Sequence, residues 1–177
     1  MLYALDTEFM EDGKTIELIS IGLVAQDGRE LYVQRCEAPI DADRRVFYNK
    51  EYPGPNAWVQ QHVLPHLEHP YCLTPCETPG CPWLHESDLA DCLLGFVGDD
   101  PSPSFLGYYS AYDWVVLCQL FGPMIALPPG WPMYCRDLRP WLDDQGLEHV
   151  TQPDNMPHHA LSDARWILQM WQQYKDP

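Results

Sequence analysis

A chain of 177 residues has the size of one domain with a full hydrophobic core, and nothing in it calls for a second domain. Ten Lys plus Arg against 26 Asp plus Glu give a formal charge of −16, which excludes broad, sequence-independent capture of a polyanion, so any contact with nucleic acid has to be local. No apolar run approaches about 18 residues and Asp6 interrupts the apolar start, so a cytoplasmic protein with no membrane partner is expected, its seven cysteines mostly reduced thiols or metal ligands.

The first predicted element is a buried strand, Leu2, Tyr3, Ala4 and Leu5, leading into Asp6, Thr7, Glu8 and Phe9. Side chains two apart on a strand share a face, so Asp6 and Glu8 point the same way and repel. A cation between them relieves that repulsion, which makes the pair a candidate ligand set for a hard metal. A turn at Glu11, Asp12 and Gly13 leads to a second strand over residues 15 to 25, dense in β-branched and apolar types. Asp27-Gly28 turns the chain again into a third strand at or near an edge, with Leu31 and Val33 alternating with Tyr32 and Gln34. Residues 57 to 67 place Trp58, Val63 and Leu67 on one helical stripe behind Asn56 as N-cap, with Pro65 and Pro70 confining it.

Residues 69 to 85 read as a Cys- and Pro-rich insertion loop. Ser87 caps a helix carrying Leu89, Cys92, Leu93 and Phe96. A strand over 104 to 109 and a helix over 112 to 121 follow, and Pro123, Pro128, Pro129 and Pro132 then forbid regular structure. A fifth strand over 133 to 137, a helix over 138 to 145 and a last helix marked by Leu161, Ile167, Leu168 and Trp171 complete an α/β chain. Asp113 stands at a strand-to-helix junction, and Asp163 stands early in the last helix.

Three antiparallel strands with an acid pair on the first, an acid at a later helix start and another in the C-terminal helix resemble the ribonuclease-H-like fold, a mixed five-stranded sheet flanked by helices. Within it the chain resembles the DEDDh family of 3′-to-5′ exonucleases. D-T-E-F at residues 6 to 9 is similar to the first family motif, the segment 107 to 113 to the second, and the H-x-A-x-x-D of residues 158 to 163 to the third. Residues 16 to 22 and 118 to 128 are similar to the small mycobacterial-type exoribonuclease subfamily. Oligoribonuclease and RNase T are more distant relatives. Tyr109 departs from the family, which often has a polar residue such as Asn there.

The resemblance implies that Asp6, Glu8, Asp113 and Asp163 gather two Mg²⁺ or Mn²⁺ ions about 3.5 to 4 Å apart, oxygen ligands favouring these over zinc. It also implies hydrolysis of phosphodiester bonds at the 3′ end of single-stranded or overhanging RNA, with release of nucleoside 5′-monophosphates. Helix geometry alone favours His159 as general base, whereas the family spacing puts the base at His158, and His158 is the reading taken. Thr7 and Phe9, on either side of Glu8, are candidates to contact the substrate, Phe9 by stacking on the terminal base.

Cys72, Cys76, Cys81 and His85, spaced C-x3-C-x4-C-x3-H, form a candidate structural zinc set, with free thiols as the alternative. His62 and His66 lack the Glu of a zinc-protease motif and read as surface residues. A DNA exonuclease is the rival within the class, and a non-catalytic protein-binding module the rival outside it. The charge favours a short single-stranded RNA 3′ end as partner over a long backbone, unless a homodimer pools the few arginines into a track.

Overall fold

The computed structural model describes residues 1–11, 13–36, 56–67, 83–147 and 158–175. Strand β1 (Leu2–Glu11) runs straight through the acid pair instead of stopping at it, and pairs antiparallel with β2 (Ile16–Ala25). β2 pairs antiparallel with β3 (Glu30–Cys36), so the predicted three-stranded opening is present. Helix α1 (Asn56–His62) is shorter than its stripe suggests, and the chain continues through a 3-10 turn at Leu64–His66. Pro65 explains the change, because its ring removes the donor an α-helix would use and crowds the preceding turn.

Among the described residues six strands are present where five were predicted. The additional one, β4 (Trp83–His85), lies at the end of the expected insertion loop and adds parallel to β3, which is therefore not an edge. After α2 (Glu86–Val97), β5 (Ser104–Gly107) pairs parallel with β1. Tyr109 adopts a left-handed φ of 55° and ends the extended run two residues earlier than the sequence suggests. Helix α3 (Ala111–Gln119) follows, and the fifth predicted strand shrinks to β6 (Arg136–Asp137), paired with Leu106 and Gly107 of β5, because the chain bends at Met133 and Tyr134 just after Pro132. Helices α4 (Leu138–Asp144) and α5 (Ala160–Tyr174) complete the described chain.

The sheet order is β4-β3-β2-β1-β5-β6, with β1 central. A hairpin and third strand on one side of β1 and parallel strands on the other are the ribonuclease-H-like arrangement. On one face, Tyr3, Leu5, Leu18 and Phe105 pack beneath α2 and α3. On the other, Ala4, Val24 and Leu106 meet Leu161, Ala164, Ile167 and Leu168 of α5, whose apolar residues recur at helical spacing. Met10 and Ile19 pack against Val59 and Val63 beside α1. No described helix is long and apolar enough to cross a membrane.

Two glycines set how closely these layers approach. Gly22 lies opposite Asp6 in the β1–β2 ladder, and a Cβ there would sit 2.3 Å from the backbone of Ala160. The first turn of α5 therefore rests directly on the strand beside Asp6, which brings Asp163 to the acid pair. Gly107 lets the chain fold back after β5, since a Cβ there would sit 2.5 Å from the Ser110 Cβ.

Candidate active site

Asp6, Glu8 and Asp163 each offer a carboxylate oxygen, and these oxygens lie within 4.8 Å of one another. A β-bulge between Glu8 and Phe9 shifts the register with β2 directly after the second acid. The fourth predicted acid, Asp113, stands beside this trio in the first turn of α3, and its charge acts on Asp6 more than that of Glu8 or Asp163. Its Oδ1 accepts hydrogen bonds from the Thr7 N–H at 2.9 Å and the Thr7 hydroxyl at 2.6 Å. Thr7, predicted to touch substrate, is buried and holds Asp113 against β1.

The electrostatics follow from this crowding. Burial first, then the neighbouring carboxylates, raise Asp6 well above the usual carboxylate range. Burial, with Asp163 and Asp113, raises Glu8 to about 8. Burial also raises Asp113, against the lowering effect of its two bonds from Thr7. Among the described residues no ion pair neutralises Asp6 or Glu8. A partly buried all-oxygen cluster that resists carrying its own charge fits a hard divalent cation, which would replace the protons.

The two histidines before α5 differ in their surroundings. His159 is buried, precedes the first helical residue, accepts from the Ser162 N–H at 3.5 Å through Nδ1, and stacks on Tyr32 with ring centroids 4.4 Å apart. His158 is half-buried with a left-handed φ of 62°, and its ring meets the Trp58 edge at 4.7 Å and lies 6.3 Å from His62. Burial, then the charges of His62 and His66, lower its pKa. The pair read as surface residues thus faces the predicted base. Phe9 is half-buried and meets Tyr112 edge-on at 5.6 Å, with Tyr112 half exposed.

Asp137 is the residue that sequence reasoning missed. One carboxylate oxygen accepts from the N–H groups of Tyr109 and Arg139 at 3.0 and 2.9 Å, the other from the N–H of Ser110 at 3.1 Å. It thereby caps α4 and pins the strained turn that launches α3 and Asp113. Its position just before a predicted helix signalled the cap, but the reach to the β5–α3 turn had no local signature. Cys72, Cys76 and Cys81 of the zinc set lie outside the described residues, and His85 ends β4 and precedes α2.

A mixed sheet with a carboxylate cluster on its central strand, joined by acids from α3 and α5, is the arrangement that the resemblance to DEDDh nucleases implied. No family model matches the chain. It is 40% identical over 167 residues, 93% of its own length and 88% of theirs, to the 3′-5′ exoribonucleases of Mycobacterium tuberculosis strains CDC 1551 and H37Rv. The chain belongs to this mycobacterial-type 3′-5′ exoribonuclease family. The Mg²⁺- and Mn²⁺-bound structure of S. pombe Pop2p aligns over 99% of this chain and 84% of its own, at 13% identity and a TM-score of 0.47.

Proposed function

We propose that this single domain is a cytoplasmic 3′-5′ exoribonuclease that removes nucleoside 5′-monophosphates from single-stranded or overhanging RNA ends with the help of two Mg²⁺ or Mn²⁺ ions. The observation that carries the reading is the convergence of buried Glu8 with half-buried Asp6 and Asp163, beside buried Asp113, in a mutually repelling cluster. The free thiols Cys92, Cys118 and Cys135 support a reducing compartment.

Asp6, Glu8, Asp113 and Asp163 would hold the ions, which when bound supply Lewis-acid polarisation of the phosphate and acidify the attacking water. His158 takes the proton from that water. Its lowered pKa keeps the imidazole neutral and able to accept at neutral pH. His159 is committed to the start of α5 and to Tyr32, which supports His158 as the base. Phe9, with Tyr112 against it, offers a ring for the terminal base.

The test is turnover of end-labelled RNA and DNA oligomers with Mg²⁺, Mn²⁺ or chelator, on the wild type and Glu8→Gln. RNA should shorten from its 3′ end only with metal and intact Glu8. Activity that survives excess chelator or the Glu8→Gln change sinks the mechanism, and equal or faster turnover of DNA sinks the substrate assignment.

A further inference from the structure

A line of polar side chains runs across the sheet from the acid centre. Glu8 of β1 lies opposite Ser20 of β2, and Ser20 lies opposite Gln34 of β3. All of them belong to the face that carries the site. Glu8 is two residues from Asp6, Ser20 is two from Gly22, on which α5 rests, and Gln34 is two from Tyr32, which stacks on His159. The bulge that shifts the β1–β2 register comes only after Glu8, so the line is unbroken.

Ser20 and Gln34 are each 0% exposed, and among the described residues the Ser20 Oγ and the Gln34 Nε2 and Oε1 have no hydrogen-bond partner. A buried hydroxyl and a buried amide are costly to leave unpaired. A layer that only needed filling would carry apolar side chains, as it does at Ala4 and Val24 on the same face. Residues directly opposite in an antiparallel pair have Cβ atoms about 4.5 to 5.5 Å apart, which leaves the Ser20 hydroxyl within one rotamer change of the Glu8 carboxylate. Chemistry fixes the direction of the bonds. A carboxylate that ligates a metal only accepts, so Ser20 has to donate to it. The Ser20 lone pairs are then left to accept, and the side-chain donor opposite them is the Gln34 amide.

We propose that Ser20 and Gln34 are positioning residues of the metal centre, Gln34 donating through Nε2 to the Ser20 Oγ and Ser20 donating to Glu8, so that Glu8 is held with its remaining lone pairs toward the cation. The proposal rests on the reading of Asp6, Glu8, Asp113 and Asp163 as a metal site, and adds two residues too deeply buried to touch RNA. Partners of this kind, one bond removed from the metal, change its affinity by about 10- to 100-fold.

The experiment uses the full chain with Mn²⁺ alone as the probe, free Mn²⁺ being counted by electron paramagnetic resonance, and thermal denaturation in chelator beside it. Ser20→Ala should weaken Mn²⁺ binding about 10- to 100-fold. Its Tm in chelator should stay level or rise, because the buried hydroxyl it removes makes no bond there. Ser20→Cys, close in volume and a poorer donor, should weaken binding in the same direction. Gln34→Met should weaken it by less, and added to Ser20→Ala it should have no further effect, since the amide then has nothing to act through. Unchanged Mn²⁺ affinity in the Ser20 and Gln34 variants overturns the proposal while leaving the metal centre standing. So does an affinity that falls only in step with Tm in chelator, which would make the pair sheet packing and nothing more. Additive losses from Ser20→Ala and Gln34→Met overturn the relay. Wild-type protein that binds no Mn²⁺ refutes the metal-site reading itself, and the positioning roles fall with it.

Discussion

Stability of the metal-free protein should fall as pH rises from 5 to 8, the reverse of ordinary acid denaturation. Glu8 binds a proton up to about pH 8 in the folded chain against an ordinary value of 4.5. Between those values the folded state holds a proton that the unfolded state has released, so each step up in pH favours unfolding. Taking 8 − 4.5 = 3.5, and 1.36 kcal/mol for each pH step of the window, the ceiling for this one group is about 5 kcal/mol. In a chain of this size that is roughly 10 to 20 °C in Tm. His158, its pKa lowered from 6.5, acts in the opposite sense below that value, so the informative quantity is the difference between wild type and Glu8→Gln. Thermal denaturation in chelator at pH 5, 6, 7 and 8 should show the wild type losing stability with pH and Glu8→Gln losing much less, so that the variant is the more stable protein at pH 8. Mg²⁺ at a hundred times its Kd should return about 2.7 kcal/mol to the wild type at pH 8 and little to the variant. A chelated wild type whose Tm is flat or rising across this range, or parallel curves for the two proteins, would refute the argument that the acids are held together against their own charge.

Three further outcomes are expected. His158→Ala should lower kcat by about 10²- to 10⁴-fold with little change in Tm, whereas His159→Ala should cost about 1 kcal/mol of stability through the start of α5 and reduce kcat far less; equal losses of kcat would reverse the assignment. Asp137→Ala should cost about 1 to 3 kcal/mol in urea denaturation and lower kcat, with Asp137→Asn intermediate, because three backbone donors lose their acceptor; an unchanged kcat would show that the turn does not position Asp113. Gly22→Ala should destabilise by at least about 3 kcal/mol by driving α5 off the strand, while Gly95→Ala in α2, where a Cβ meets nothing within 4 Å, should stabilise by about 0.5 to 1 kcal/mol; similar effects from the two would remove the close-approach argument.

The parts of this fold that were legible in the sequence are those fixed by short-range pattern. The Ile16–Ala25 strand is too rich in branched apolar residues to be anything else, and α5 shows its buried stripe directly in Ala160, Leu161, Ala164, Ile167 and Leu168. Asp6 and Glu8 were readable as a pair because strand geometry alone puts them on one face. The errors lie where pairing decides. Trp83–His85 is a strand only because β3 offers it an edge, and residues 133 to 135 are not part of one because the chain bends at Met133 and Tyr134 directly after Pro132 and reaches the β5 edge only at Arg136. Proline positions predicted the break in regular structure after α3, and Pro65 explains in hindsight why α1 stops short of the expected Leu67, since a missing donor acts locally whatever the tertiary context.

The site shows the same division. The four acids announce themselves by spacing, but what holds them in place is carried by groups with no spacing to read: the missing side chain of Gly22, the Thr7 hydroxyl on Asp113, and the Asp137 carboxylate across the turn. Net charge misleads in a related way. A formal −16 describes the whole surface, yet screening confines each exposed charge to a neighbourhood of about 8 to 10 Å, so a substrate phosphate responds to the few groups nearest it. Within that radius the acid cluster invites cations. A polyanion can therefore be held at one end, through cations on the acid cluster, by a protein whose net charge repels the rest of it, and that repulsion itself favours short ends over long duplexes.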